Sequence, residues 1–208
     1  MIVRVDVDTQ NGFCDPAGGL YVRGAARVLE NVARLNRDAL EHRAALVGSL
    51  DSHDFASPEF RENGGPWPTH CVKGTWDWLK PASVLPARFR IVGREPTDVA
   101  RAFAGGRAAL YFEKDAYSIF DNRNFAALLE CLRARGEGLR FEVYGVATDY
   151  CVKAAALELR RRGYDVALVR NAVAGVAEDT TAAAIEEMRA AGVEMTTTAE
   201  ALGASACA

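Results

Sequence analysis

The chain lacks the features that would place it outside an ordinary enzyme-sized fold. Its 208 residues contain five cysteines, at 14, 71, 131, 151 and 207. The count is odd, the spacings are irregular and no C-x-x-C occurs, so neither a disulfide framework nor a structural zinc site built on cysteine is expected. No apolar run reaches the length needed to cross a bilayer. Met1 leads directly into IVRVDVD, without the basic and apolar regions of a signal peptide, so a cytoplasmic protein is expected. There is no excess of positive charge: the net charge is −3, which argues against nucleic acid as a partner. The one basic cluster, Arg160–Arg161–Arg162, closes a helical pattern, where positive charge suits the dipole. Only three histidines occur, so each can be weighed singly.

What is present is an alternation of two periods. Short β-rich runs are expected at 2–7, 44–50, 109–113, 140–146, 165–170 and 192–197. Helical spacing appears at 24–43, 123–135, 149–162 and 178–191. Strands alternating with helices give a parallel sheet covered on both faces. The expected fold is therefore one three-layer α/β/α domain over residues 1–208, with a doubly wound, mostly parallel, six-stranded sheet. Residues 51–108 break the pattern. They are rich in Gly, Pro, Trp and Asp, and only 97–104 read as helical; a long irregular excursion in a compact domain is usually functional.

Open α/β sheets bind ligands beyond the carboxyl ends of their strands. Asp8 follows the first expected strand, Asp51 and His53 the second, Lys114 the third, and Cys151 lies just past the fourth. Cys151 heads a helix, with Thr148 or Asp149 as its cap. The helix dipole there favours a thiolate, so a lowered thiol pKa is expected, and an ammonium at Lys114 would lower it further. Asp8 is a candidate proton acceptor, with Asp6 on the strand itself as its rival. His42 ends a helix and reads as a surface residue. D-x-H at Asp51 and His53, joined by His70 from WPTHC, fits a mononuclear site for one divalent ion: zinc, iron or manganese.

Five stretches, DTQNGFC, DSH, WPTHCVKGT, EKDAYSIF and GVATDYCV, occur in this order. Together they resemble the nicotinamidases, a branch of the isochorismatase-like cysteine hydrolases. The resemblance spans about residues 2–175. It implies an Asp8–Lys114–Cys151 catalytic triad and settles the choice against Asp6. It implies metal ligation by Asp51, His53 and His70, with an additional acidic ligand to be sought at Glu59 or Glu62. It also implies a cis peptide at Val146–Ala147, an oxyanion hole from the Ala147 and Cys151 amides, and a pyridine ring held between Phe13 and Trp67. Tyr117, in EKDAYSIF, is assigned to the same substrate pocket. The chain departs from the family pattern at Gly12, where members often carry Asp. The implied activity is hydrolysis of nicotinamide to nicotinate and ammonia through a cysteine thioester, in pyridine nucleotide and NAD salvage; pyrazinamide is expected as a second substrate.

Three alternatives were weighed. A metal-free isochorismatase-like amidohydrolase, acting on another small amide or carbamoyl compound, would leave the two histidines without use. A redox-active thiol protein would need Cys14 or Cys71 as resolving cysteine. A non-catalytic metal- or partner-binding protein would not need the intact triad. The expected partner is thus a small-molecule amide, with no nucleic acid and no membrane; self-association into a homo-oligomer stays open.

Overall fold

The computed structural model describes residues 1–42, 44–104, 108–134 and 138–205. Arg43 and Arg135, at the ends of two expected helices, and Cys207 lie outside the described residues. Seven strands run through the domain: β1 (Ile2–Val7), β2 (Ala45–Asp51), β3 (Phe89–Val92), β4 (Ala109–Lys114), β5 (Arg140–Val146), β6 (Asp165–Ala174) and β7 (Glu194–Thr196). The helices are α1 (Asn11–Cys14), α2 (Ala25–Glu41), α3 (Val99–Ala104), α4 (Arg123–Arg133), α5 (Lys153–Arg161), α6 (Glu178–Ala190) and α7 (Thr198–Ser205). The strands pair in the order β3-β4-β2-β1-β5-β6-β7, and every pairing is parallel.

The expected sheet of six strands is corrected to seven. The addition, β3, comes from within the excursion at 51–108. It is a four-residue edge strand with Phe89, Arg90 and Ile91 exposed, so it carries none of the apolar alternation that marks a half-buried strand. β6 also runs four residues beyond its expected end at 170.

Alternation on β1 shows why the sheet needs two covering layers. Val3, Val5 and Val7 enter the core that α4, α5 and α6 close with Leu128, Leu132, Ala155, Leu159 and Met188. Each fully buried aliphatic side chain of this kind is worth about 1.5–3 kcal/mol. Arg4 and Asp6 point to the opposite face, under α2 and α7, and are also buried. Arg4 survives there because it is paired with Asp38 and, at 3.0 Å, with Glu142. α2 presents Val28, Val32, Leu35 and Ala39 inward at helical spacing, which explains its length and its register on the sheet.

β1 lies between β2 and β5, the strands to which the chain departs in opposite directions. The crevice beyond the carboxyl ends of these three strands and β4 is the expected ligand site of an open sheet. No helix among the described residues is long and apolar enough to cross a membrane.

Candidate active site

β1 ends at Val7, and the backbone then turns at Asp8 with φ of 45°. This left-handed conformation breaks the strand alternation that would have sent Asp8 after Asp6. Asp8 instead reaches Lys114, the last residue of β4, with 2.8 Å between carboxylate oxygen and ammonium nitrogen. Asp6 stays on the other face, where Thr9 Oγ1 donates to it at 2.6 Å, Asn36 at 2.9 Å, and Lys80 lies 3.3 Å away.

Lys114 is fully buried and is the centre of the arrangement. Besides Asp8, its ammonium donates to Asp51 Oδ1 at 3.1 Å and to Cys151 Sγ at 3.5 Å. Burial opposes its charge, but Asp51 and Asp8 outweigh that cost and hold its pKa well above the usual lysine value. Burial likewise opposes ionisation of Asp51; the Lys114 ammonium and hydrogen bonds from both imidazoles outweigh it and hold that carboxyl well below the usual range. Neither Asp8 oxygen accepts an aligned hydrogen bond among the described residues, although the ammonium is in ion-pair contact. A carboxylate in contact with this ammonium, and acting on the Cys151 thiol as well, is suited to exchanging a proton with that thiol.

The setting of Cys151 differs from expectation in two respects. α5 is preceded by a turn of π-helix, Thr148–Val152, which contains Cys151, and neither Thr148 nor Asp149 caps it with a side chain. The Asp149 carboxylate is instead spent on Val176 N at 3.0 Å and on Thr180 Oγ1, at the entry to α6. The Cys151 thiol pKa is also raised rather than lowered: burial pushes it well above its usual value, Lys114 pulls it back, and Asp8 and Asp51 push it further up. Two buried carboxylates and loss of water thus outweigh one ammonium. The Val146–Ala147 peptide is cis.

On the far side of Asp51 lies a second cluster. Asp51, His53, Glu59 and His70 each offer one donor atom, all within 4.8 Å of one another. Asp51 Oδ2 is 3.0 Å from His53 Nε2 and 3.3 Å from His70 Nε2; Glu59 Oε1 is 3.2 Å from each imidazole. A tetrahedral ion with bonds of about 2.0–2.1 Å would hold its ligand atoms about 3.3 Å apart, so four edges of the cluster already have the size of such a site. The outer ring nitrogens are engaged as metal-binding imidazoles require. His70 donates its Nδ1–H to the Pro68 carbonyl at 2.8 Å, and His53 Nδ1 is 3.4 Å from Ser57 Oγ. Two carboxylates and two imidazoles, largely buried, fit a divalent cation. Of the two acidic candidates, Glu59 is in the cluster, whereas Glu62 accepts from Thr69 Oγ1 at 3.0 Å. Asp51 joins the two centres: one oxygen faces Lys114, the other both imidazoles.

Both centres open into one pocket. The expected residues Phe13, Trp67 and Tyr117 line it, with Ala147, Cys151, Asp51, Glu59 and His70. Phe13 packs against His70, ring centres 5.4 Å apart, and Trp67 Nε1 donates to the Tyr117 hydroxyl at 3.3 Å. Sequence reasoning missed Leu20, Val22, Tyr150 and Val176. Of these only Tyr150 carried a signal, as the aromatic next to the nucleophile; it meets Trp67 edge-on and Tyr117 at a tilt, each at 5.3 Å. His42 is on the surface, with its Nδ1 2.8 Å from an Asp38 carboxylate oxygen. Cys14 and Cys71 are buried free thiols.

Known proteins resemble this chain over nearly its whole length. The isochorismatase domain model matches residues 80–200, which include Lys114 and Cys151 but not Asp8 or the four-residue cluster. The nicotinamidase/pyrazinamidase of Mycobacterium tuberculosis is 32% identical over 200 residues, 94% of this chain and 98% of that protein. Among solved structures, the pyrazinamidase of Pyrococcus horikoshii in complex with zinc superposes with a TM-score of 0.75 at 30% identity, covering 94% of this chain and 98% of that one. The L. infantum protein PnC1 in complex with nicotinate gives a TM-score of 0.75 at 26% identity, covering 96% and 93%. Fold, strand-end chemistry and full-length similarity agree that the chain belongs to the isochorismatase family, in the branch of the nicotinamidases and pyrazinamidases.

Proposed function

We propose that the chain is an amidohydrolase that converts nicotinamide and water into nicotinate and ammonia, with Cys151 as nucleophile. The observation that carries this reading is the contact of one buried ammonium, Lys114, with Asp8, Asp51 and Cys151, beside a pocket lined by Asp51, Cys151 and His70. A divalent ion held by Asp51, His53, Glu59 and His70 would supply a Lewis acid for the pyridine nitrogen and so fix the ring. Zinc, iron and manganese suit the donor set, and the zinc complex of the Pyrococcus relative makes zinc the first to test.

The chain's own residues then act as follows. Phe13 and Trp67 hold the ring faces, with Tyr117 on the same wall. Asp8 takes the Cys151 proton as the sulfur attacks the carboxamide carbon. Lys114 remains protonated throughout and offsets the charge of whichever neighbour is anionic. The Ala147 and Cys151 amides receive the developing oxyanion. Asp8 returns the proton to the departing nitrogen, which leaves as ammonia. Asp8 next takes a proton from the water that attacks the thioester, and the thiol is regenerated with nicotinate. Nicotinate production fits a role in NAD salvage, and buried free thiols fit the cytoplasm.

The test is ammonia release from nicotinamide, pyrazinamide and benzamide. The first two keep a ring nitrogen meta to the carboxamide and should react, whereas benzamide, which lacks it, should be poor by about tenfold or more. Equal rates on nicotinamide and benzamide would instead favour a metal-free amidohydrolase.

A further inference from the structure

Residues 76–80 take no part in the chemistry above, yet they lie across three segments that line the pocket. Gly12 N donates to the Asp77 carbonyl at 2.9 Å and Asn11 N to the Leu79 carbonyl at 2.8 Å, which ties the strap to the turn carrying Phe13. The two oxygens of the Asp77 carboxylate are divided. Oδ1 accepts from Gly19 N at 3.1 Å, in the loop carrying Leu20 and Val22; Oδ2 accepts from Cys71 N at 2.9 Å, directly after His70. Cys71 has φ of 45°, a left-handed conformation unusual for a residue with a Cβ. That turn separates His70, which faces the ligand cluster, from Val72, which pairs with His53. Position 12 makes room for this carboxylate: a Cβ on Gly12 would lie 2.5 Å from Asp77 Oδ2.

We infer that Asp77 is a positioning residue, whose carboxylate fixes the His70 turn and the Leu20 loop together and which functions only because residue 12 has no side chain. The part of this inference that concerns metal rests on the proposed ligation by His70. Its core, the clamping of two amides by one carboxylate, does not.

The experiment uses the full-length protein with Asp77→Ala, Asp77→Asn, Gly12→Ala and the Gly12→Ala/Asp77→Ala double variant. Hydrogen–deuterium exchange is followed in the metal-free protein at peptides covering 18–20 and 70–72. Zinc affinity is measured by chelator competition, and KM and kcat by ammonia release. Asp77→Ala should speed exchange in both peptides, weaken zinc binding about tenfold and raise KM more than it lowers kcat. Asp77→Asn keeps one acceptor oxygen and should fall between wild type and Asp77→Ala, which guards against a variant that merely misfolds. Gly12→Ala should act by evicting the carboxylate, so the double variant should be no worse than the poorer single one. Unchanged exchange at 70–72 in Asp77→Ala, or additive effects in the double variant, would overturn the inference. A wild-type protein that binds no zinc would sink the metal reading above, while exchange still decides the role of Asp77.

Discussion

The two halves of the site are built on different principles. Asp8, Lys114 and Cys151 stand at or just past the ends of β1, β4 and β5; in the one parallel sheet β5 is next to β1 and β4 is next but one to it. Asp8 and Lys114 are wholly buried. The sheet places them at its edge as a consequence of its topology, and burial makes their charges matter. His53, Glu59, Trp67 and His70 belong instead to an irregular stretch between β2 and β3. It is held by isolated pairings, His53 with Val72 and Phe60 with Trp67, and by turn hydrogen bonds. Glu59 keeps a quarter of its side chain exposed. In the proposed reaction the sheet edge would carry the bond-breaking groups, and the loop the groups that recognise and orient. Asp51 is the one residue shared between them.

If that division is real, the largest effect should come from the sheet side and leave the loop side untouched. Cys151→Ala removes the nucleophile, and ammonia release from nicotinamide should fall by about 10^5-fold or more. Zinc content and fold should be retained, because Cys151 is not in the ligand cluster. A Cys151→Ala protein that still turns over nicotinamide at an appreciable fraction of the wild-type rate would remove the thiol from the mechanism.

A smaller effect, confined to the loop side, should separate two acidic residues three positions apart. Glu59→Gln removes one ligand charge, so zinc affinity should drop about tenfold or more, with a parallel rise in KM. Cys151 should still react with an alkylating agent at its wild-type rate. Glu62→Gln removes a charge outside the cluster, where the carboxylate accepts only from Thr69, and should leave zinc affinity unchanged. Equal losses in both variants would mean that the loop as a whole, and not a defined ligand set, governs binding.

The same division decides what could be read from the sequence. Strand-end positions announced Asp8, Asp51, Lys114 and Cys151, because the period change from strand to helix is visible in the residues. The rivalry of Asp6 and Asp8 was not resolvable from alternation, since the left-handed turn at Asp8 is a backbone fact that no side-chain pattern encodes. Thiol acidity was misjudged for a related reason: the helix dipole is legible in sequence, whereas the burial that overrides it is a tertiary property. In the loop, D-x-H and WPTHC were readable as motifs, but the choice of Glu59 over Glu62 depends on turns that spacing does not fix. Asp77 gives no signal at all, since its meaning lies in contacts with the Cys71 and Gly19 amides and with Gly12, two of the three far away in the chain.

The most gradual expected effect is a pH dependence that belongs to the loop side alone. Burial disfavours the charged form of His70, but hydrogen bonds to Asp51 and Glu59, with the charge of Asp51, outweigh it and raise its pKa in the metal-free protein from 6.5 to about 9. A metal ligand must be neutral, so binding a divalent ion near neutral pH expels this proton. Affinity for zinc should therefore strengthen with pH by up to about tenfold per unit, the equivalent of one proton, and level off as pH passes 9. The sign for folding is opposite. The stability contributed by the His70 imidazolium is fully present below pH 6.5 and is lost as pH rises through about 9, so the metal-free protein should become less stable over the window in which it binds zinc more tightly. Glu59→Gln replaces one of the charged acceptors that raise His70 with a weaker neutral one and should move the plateau in zinc affinity to lower pH. Chelator competition from pH 7 to 9 measures the slope. A flat profile would show that His70 is already neutral at pH 7, and that the carboxylates beside it do not hold a proton on the ring.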